Sequence, residues 1–184
     1  LAGAGAAAVF VVVYISFMGY AGDRVTAWLH PELDPGDTGY QILQSLYAIG
    51  SGGLFGLGYG KSRQKYLYLP FQYNDYIFAV ICEELGLVGA MAIVALFAVT
   101  ILRGYWIALN ARDRFSTVLA AGLVTLIAVQ TILNLCVVTN LLPSTGIALP
   151  FFSYGGTALA VNLGEMGIVL GVSRGRNRRK IQEA

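Results

Sequence analysis

The sequence predicts an all-α polytopic membrane protein with about four transmembrane helices and a large outer loop. Of its 184 residues, 57% are hydrophobic and only 12% are charged, and the mean hydropathy is +0.66. Several stretches of about 18 or more residues are nearly free of charge, which is the length that a helix needs to cross a bilayer. We therefore expect one membrane domain and no soluble domain.

The first expected span covers about residues 1–20 and begins with small residues between Ala2 and Ala6. Small residues let helices approach closely in lipid, so this half should pack on other helices. Asp23 and Arg24 are expected to close the span. The chain opens inside a hydrophobic stretch without an initiator Met or a basic leader region, so we expect the C-terminal part of a longer protein, not a signal peptide.

A large outer loop is expected over residues 21–75. Pro31 and Pro35 forbid a long regular helix there, and residues 40–49 form a short amphipathic helix. The run GSGGLFGLGYG at 50–60 is too rich in glycine for a helix interior. We expect it to lie against another backbone or a ligand, because irregular backbone at membrane depth must be covered by protein or water.

Three further spans are expected at about 76–102, 116–139 and 157–172. Their connections are a short polar turn and a second outer loop at 140–156, and a tail follows at 173–184. In the first of these spans a face of mostly small residues recurs at helical spacing and should press on a neighbouring helix. That face comprises Asp75, Ala79, Cys82, Gly86, Gly89 and Ile93.

The distribution of basic residues predicts the orientation. Arg103, Arg112 and Arg114 surround the short turn, and the tail RGRNRRK is strongly basic. The positive-inside rule places both in the cytoplasm. The two outer loops should then share the extracytoplasmic face, and the C-terminus should be cytoplasmic.

Charge and cysteine usage exclude other classes. A net charge of +2 is too small to argue for nucleic acid. Cys82 and Cys136 both fall in apolar segments, where they are expected to be buried, inert thiols instead of a disulfide or a metal site.

Three strings resemble the SEDS family (shape, elongation, division and sporulation), and more its FtsW and SpoVE branch than its RodA branch. They are YQILQSLYAIGSGGLFGLGYGKSRQKYLYLP at 40–70, DYIFAVICEELGLVG at 75–89 and LLPSTGIALPFFSYGGTA at 141–158. The resemblance implies the C-terminal part of a ten-span bacterial plasma-membrane enzyme. It also implies polymerisation of lipid II into peptidoglycan strands, with a class B penicillin-binding protein and other division or sporulation proteins as partners.

The resemblance also implies that Asp75 is the essential acid, since it stands at the junction of the outer loop and a span. A carboxylate with a raised pKa suits a general base that takes the proton of the attacking sugar hydroxyl. The bland alternative is a solvated helix N-cap, a position that Asp favours.

Cations near the outer surface are candidates for holding the departing undecaprenyl pyrophosphate, because developing negative charge needs fixed positive charge. They are Lys61, Arg63, Lys65 and Arg24. The alternative is that they are ordinary interfacial cations attracted to lipid headgroups. A divalent cation (Mg or Mn) bridging the phosphates is compatible with this chemistry, although no ligand cluster in the sequence requires one.

Two further residues are weaker substrate-binding candidates. Glu83 lies in a span and must face a cavity or a partner, with a structural hydrogen bond to Asn134 or Gln130 as the favoured interpretation. Ser153 belongs to the second outer motif, which either lines a sugar-binding cleft or fixes the helix ends.

Two other functions remain open alongside the glycosyltransferase. Buried acids in a polar cavity are also typical of transporters, which suits a lipid II flippase. A scaffold for division proteins needs only the small-residue faces. Because the suspected groups cluster at the outer face, chemistry is favoured over transport.

Overall fold

The computed structural model describes residues 19–33, 38–62 and 75–182, and all regular structure in these ranges is helical. The elements are α1 (Gly19–Leu29), a 3-10 turn (Pro31–Leu33), α2 (Thr38–Ser51), α3 (Ile77–Leu109), α4 (Arg114–Val138) and α5 (Gly156–Gln182). Three helices are long and apolar enough to cross a membrane: α3, α4 and the Gly156–Gly175 part of α5. The predicted all-α membrane fold is thus confirmed in three spans; of the first expected span, at about 1–20, only residues 19 and 20 fall inside the described ranges.

Several boundaries differ from those expected from the sequence. Helix α1 continues through Asp23 and Arg24, which were expected to close the first span, and ends at Leu29 just before Pro31. Helix α3 continues from the expected end near Leu102 to Leu109, because its last turns still have an apolar face that packs on α4. Helix α5 also continues beyond 172.

Helices α3 and α4 form a tight antiparallel pair around small residues. Ala108 and Ala120 are almost fully buried, and a Cβ added at Gly104 would lie 2.5 Å from Val124 Cγ2. The connecting turn ends at Asp113, whose side chain accepts a hydrogen bond from Ser116 N at 2.9 Å and so caps α4. This pair is the frame on which the outer segments rest.

Helix α2 runs beside the first half of α3. At its middle, Ser45 Oγ donates to Val138 O at the end of α4, and one turn later Ala48 packs with Ala79 and Cys82 in the buried cluster. A Cβ added at Gly52 would collide with Cys82 O. The contacts therefore advance along α3 from its outer end toward its middle.

Helix α3 is broken at Gly86, which has φ +66° and ψ −168°. The break disrupts the helical bonds that would span Gly86, among them those from Leu87 N to Glu83 O and from Val88 N to Glu84 O. The glycine loop (52–60) pairs all four groups instead. Leu57 N and Gly58 N donate to Glu83 O and Glu84 O at 2.9 and 3.0 Å, and Leu87 N and Val88 N donate to Gly53 O and Leu54 O at 2.9 and 3.2 Å.

This arrangement, here called the glycine clasp (loop 52–60 paired with residues 83–88), depends on the absence of side chains. A Cβ added at Gly56 would lie 2.1 Å from Glu84 O, and one at Gly86 would lie 2.3 Å from Gly56 N. Gly86 is nine residues into α3, about 13 Å from its start at 1.5 Å per residue. The expectation that the glycine run lies against another backbone is confirmed.

Candidate functional site

Asp75 lies in the turn that leads into α3, outside the helix itself, and is half-buried. The helix begins at Ile77, so Asp75 does not share a helical face with Ala79 and Cys82 as the spacing suggested. Asp75 is also not the N-cap: that residue is Tyr76, which makes no side-chain capping bond. The bland prediction of an N-capping Asp75 is therefore wrong.

The second outer loop lies directly against the Asp75 carboxyl. Gly146, which has φ +70°, comes so close that a Cβ added there would lie 3.6 Å from Asp75 Oδ2. Burial under this loop raises the pKa of the Asp75 carboxyl above its ordinary value. The Asp75 carboxyl is thus partly exposed and ionises less readily than an ordinary Asp side chain.

Asn134 of α4 joins this turn to the loop. Its Nδ2 donates to Asp75 O and to Ile147 O, both at 2.8 Å, and the side chain is 1% exposed. Both acceptors lie in non-helical backbone, which has no helical partner to offer them. One buried amide therefore fixes the backbone on both sides of the acid.

Helix α1 joins the same cluster from the first outer loop. Arg24 Nη1 donates to Ser144 O at 2.8 Å, and Trp28 Nε1 donates to Asn140 O at 3.0 Å. Both acceptors belong to the segment that follows α4. These hydrogen bonds bring the segment before α2 and the segment after α4 together at one end of the α3–α4 pair.

Tyr76 links the groups electrostatically. Burial raises the pKa of the Tyr76 hydroxyl; the neighbouring Ser144 lowers it, the Asp75 carboxylate raises it, and the Arg24 guanidinium lowers it. Asp75 and Arg24 are thus brought to one buried tyrosine, although they are 51 positions apart in the sequence. The cluster thus holds a carboxyl group and a guanidinium, the kinds of group that can accept a proton and bind phosphate oxygens.

The other cations are not all placed. Lys61 is exposed and follows the glycine clasp, beside Ser62, which contacts Glu83 rather than the Asp75 turn. Arg63 and Lys65 lie outside the described residues. Of the four cations expected to hold pyrophosphate, the described part of the chain brings Arg24 to the Asp75 cluster.

Glu83 has a different partner from the one expected. Its Oε2 accepts a hydrogen bond from Ser62 Oγ, and the two side chains are 1% and 2% exposed. Asn134, one of the two partners expected from the sequence, donates to the Asp75 turn instead. The Glu83 carbonyl also accepts a hydrogen bond in the glycine clasp. These two contacts give Glu83 a structural role in the fold.

Ser153 has a local role within the second outer loop. Its Oγ accepts a hydrogen bond from Leu149 N at 2.7 Å, and its own N donates to Leu149 O at 3.1 Å. This reciprocal pair closes the turn that precedes α5. Of the two roles expected for the motif, the structure shows the fixing of the helix end.

A cavity of about 450 Å³ opens between α4 and α5, under the second outer loop. Ile147 and Ala148 form its roof, and the amides of Gln130 and Asn162 line it among apolar side chains. Ile147 is also the residue whose carbonyl Asn134 binds, so the cavity adjoins the Asp75 cluster. Within residues 19–33, 38–62 and 75–182, no group of three or more His, Cys, Asp or Glu side chains is arranged to hold a metal.

Sequence reasoning missed the roles of Ser144, Gly146 and Asn134. The first acts through its backbone and the second through its missing side chain, so neither has a signal in residue chemistry. Asn134 did have one: a buried amide in an apolar span must be hydrogen-bonded. Which groups it binds depends on contacts across 59 residues, and the sequence does not contain these directly.

The chain matches known proteins over nearly its whole length. The model of the FtsW/RodA/SpoVE family, described as cell cycle protein, matches residues 1–178. Stage V sporulation protein E of Bacillus subtilis is 51% identical over 151 residues, which are 82% of this chain and 41% of the relative. A probable peptidoglycan glycosyltransferase FtsW of Trichlorobacter lovleyi is 45% identical over 166 residues, 90% of this chain and 44% of the relative. The chain thus spans less than half the length of these relatives.

Two solved structures share the fold. A chain of a peptidoglycan synthase complex, studied for its coordination of polymerization and crosslinking, superposes with a TM-score of 0.77 at 29% identity over 95% of this chain and 48% of that one. A mutant of the rod shape determining protein RodA of Thermus thermophilus gives a TM-score of 0.57 at 32% identity, over 72% of this chain and 40% of that one.

Proposed function

The chain belongs to the FtsW/RodA/SpoVE family of cell cycle proteins, and we propose that the full-length protein is a peptidoglycan glycosyltransferase that polymerises lipid II. The observation that carries this proposal is the Asp75 carboxyl, whose pKa is raised by burial at the outer end of α3. Relatives named as probable peptidoglycan glycosyltransferases support it.

In the proposed reaction, a sugar hydroxyl of one chain attacks the anomeric carbon of another. The new glycosidic C–O bond forms as the bond from that carbon to the pyrophosphate oxygen breaks, and undecaprenyl pyrophosphate leaves with the bonding electrons. Asp75 accepts the hydroxyl proton. A raised pKa brings the carboxylate closer to the operating pH, where a general base is most effective.

Arg24 is the described cation best placed to stabilise the leaving group, because it lies in the same cluster and a guanidinium binds phosphate oxygens through two parallel bonds. Its Nη1 donates to Ser144 O, which ties the guanidinium to the second outer loop beside the Asp75 turn. We assign Arg63 and Lys65 the same role, as expected from the family motif. Lys61 is proposed for the same role from its position in the sequence alone.

The proposed setting is the bacterial plasma membrane, with the Asp75 cluster outside and the C-terminus in the cytoplasm. The proposed partner is a class B penicillin-binding protein that crosslinks the new strands. A related chain occurs in a peptidoglycan synthase complex that couples polymerization and crosslinking, which supports such a pairing.

A lipid II flippase is the second candidate. Glu84 and Glu165 lie inside spans, and Glu84 Oε1 and Glu165 Oε2 are buried without a hydrogen-bond partner among the described residues. Buried carboxylates of this kind are typical of transport pathways. A scaffold without chemistry would explain neither these groups nor the Asp75 cluster.

The test uses the full-length protein, purified with its transpeptidase partner in detergent micelles and given fluorescent lipid II. We expect a ladder of glycan strands on a gel, and none from the partner alone. Micelles contain no bilayer to cross, so polymer there identifies a glycosyltransferase. If no polymer forms and labelled lipid II moves across vesicles that contain the protein, the protein is a flippase; if neither occurs, it is a scaffold.

A further inference from the structure

Asn134 occupies a position that the proposed chemistry does not use directly. It lies in α4, at 1% exposure, and both of its amide protons point to loop carbonyls from different parts of the chain. Asp75 O is 59 residues away in sequence and Ile147 O is 13 residues away, each at 2.8 Å. These two carbonyls flank the place where Gly146 meets the Asp75 carboxyl.

From this geometry we propose that Asn134 is a positioning residue, which holds the Asp75 carboxyl against the second outer loop at the distance and burial that base catalysis needs. The inference rests on the proposed function. It deepens that function by naming the group that keeps the acid in its working position.

The surrounding contacts explain why one side chain has this effect. Asp75 has no helical bonds of its own, because α3 begins two residues later. The loop near Ile147 has no regular structure either, and α1 donates hydrogen bonds to this segment at Ser144 and Asn140. Asn134 reaches both from the α4 helix, so it transfers the rigidity of a spanning helix to two irregular segments.

Burial is the cause that raises the pKa of Asp75. Among the described residues, the Asp75 carboxylate and the Arg24 guanidinium of α1 act electrostatically on the neighbouring Tyr76. Asn134, Ser144 and Gly146, which lie against the turn, are not ionisable. A change in the pH dependence on altering Asn134 would therefore report a change in the surroundings of Asp75.

The test compares Asn134→Leu with Thr131→Val in the full-length protein with its partner. Leu has the branched shape of Asn without its donors but is larger, so the smaller variant Asn134→Ser is compared with it. Asn134 Oδ1 makes no bond among the described residues that would be lost. Thr131 lies one turn earlier in α4 and is equally buried, but its hydroxyl bonds only to Ile127 O of the same helix. The control thus removes a buried polar group that does not reach the Asp75 turn.

We expect Asn134→Leu to lower the maximal polymerisation rate at least tenfold, because misplacing a reacting group by about 1 Å costs rate. The KM for lipid II should stay within about twofold of the wild-type value. In Thr131→Val, both the maximal rate and the KM should stay within about twofold of wild type. The acid limb of the pH–rate profile should move to lower pH, because a loosened turn admits water to Asp75. Asn134→Ser, a smaller change without the two bonds, should show the same shift.

An unchanged rate, or a rate that falls equally at every pH without a shift of the acid limb, would overturn the proposal and leave Asn134 with a structural role. The same holds if neither variant folds or binds the partner. The wild-type protein polymerises lipid II in the same experiment if the proposed function is right, so failure of that function is seen separately from failure of this inference.

Discussion

The position and the pKa of the Asp75 carboxyl depend on residues that are distant in sequence and not on its immediate neighbours in the chain. It lies in a turn before α3, under Gly146, and its pKa is raised by burial. A raised carboxyl pKa means that the folded protein binds this proton more tightly than the unfolded chain does. The free energy of unfolding therefore carries a cost at neutral pH, which disappears as pH falls through the raised pKa and below the ordinary value of 3.8.

This gives a prediction for the pH dependence of activity. The polymerisation rate should fall as pH drops through the raised pKa, with an acid limb above pH 3.8, because only the ionised form accepts a proton. The measurement is the maximal rate in the full-length complex across pH. A rate that is constant down to pH 4 would contradict a base of this kind.

A matching prediction concerns stability. Asp75→Asn removes the buried charge, so its thermal unfolding midpoint at pH 7 should equal or exceed that of the wild type, with the difference narrowing as pH falls toward 4. Unfolding of the purified full-length protein in detergent measures this. A clear loss of stability at pH 7 would indicate that the carboxylate holds the fold together.

At the scale of elements, the glycine clasp decides how the outer segment meets α3. It pairs the four backbone groups of two disrupted helical hydrogen bonds with the loop, so the break at Gly86 does not leave these groups unpaired in the interior. Irregular backbone at membrane depth is tolerated on that condition. The clasp also brings Ser62 to Glu83.

Gly86→Ala tests the clasp, with Gly122→Ala as the matched control. A Cβ at Gly86 would lie 2.3 Å from Gly56 N at a positive φ, whereas one at Gly122 of α4 would meet nothing within 4 Å. We expect Gly86→Ala to lower the free energy of unfolding by more than about 1 kcal/mol, and Gly122→Ala to leave it unchanged or raise it by about 0.5–1 kcal/mol. Equal stability of the two variants would show that the clasp does not form.

Part of this arrangement of helices and loops is predictable from the sequence. Hydropathy and length identify α3, α4 and α5, and the glycine content of 50–60 predicts a close backbone approach. The break in α3 is not predictable from Gly86 alone, because single glycines such as Gly104 and Gly122 remain helical. The difference lies in the loop that receives the freed hydrogen-bonding groups, which is a tertiary property.

The same limit applies to the site. Asp75 and Arg24 could be named from residue type, position and family resemblance, whereas their convergence on Tyr76 and the second outer loop required the fold. For Glu83, the need for a partner was predictable but the identity of the partner was not. Its buried charge indicated a partner, but the one found is Ser62, because the outer segment folds back along α3 instead of staying at the surface.

At the scale of the whole molecule, the Asp75 cluster and the basic turn between α3 and α4 lie at opposite ends of this helix pair. The Asp75 cluster is at the start of α3 and the end of α4, and the basic turn with Arg112 is at the other end. There the Arg103 guanidinium lies 5.4 Å from the centre of the Trp106 ring, a combination suited to a membrane interface. This separation supports an outer catalytic face and a cytoplasmic basic face.

Cysteine labelling tests this orientation. Thr145 in the second outer loop and Arg112 in the α3–α4 turn are both exposed. In a full-length background with Cys82→Ala and Cys136→Ala, a membrane-impermeant maleimide added to intact cells should label Thr145→Cys and not Arg112→Cys until the membrane is opened. The reverse pattern would place the Asp75 cluster in the cytoplasm and exclude the proposed chemistry on exported lipid II.

The central claim is that Asp75 is the base of a glycan polymerase, and the most direct measurement compares Asp75→Asn with Asp113→Asn in the full-length complex. Both variants remove one carboxylate, but Asp113 is an exposed helix cap at the far end of α3, and Asn caps helices as well as Asp does. The assay uses labelled lipid II and variants that bind the transpeptidase equally. We predict at least a hundredfold lower polymerisation rate for Asp75→Asn, which is in the range that general bases contribute. For Asp113→Asn we predict a rate within about twofold of wild type. Glycan strands formed by Asp75→Asn at the wild-type rate and length would contradict the account.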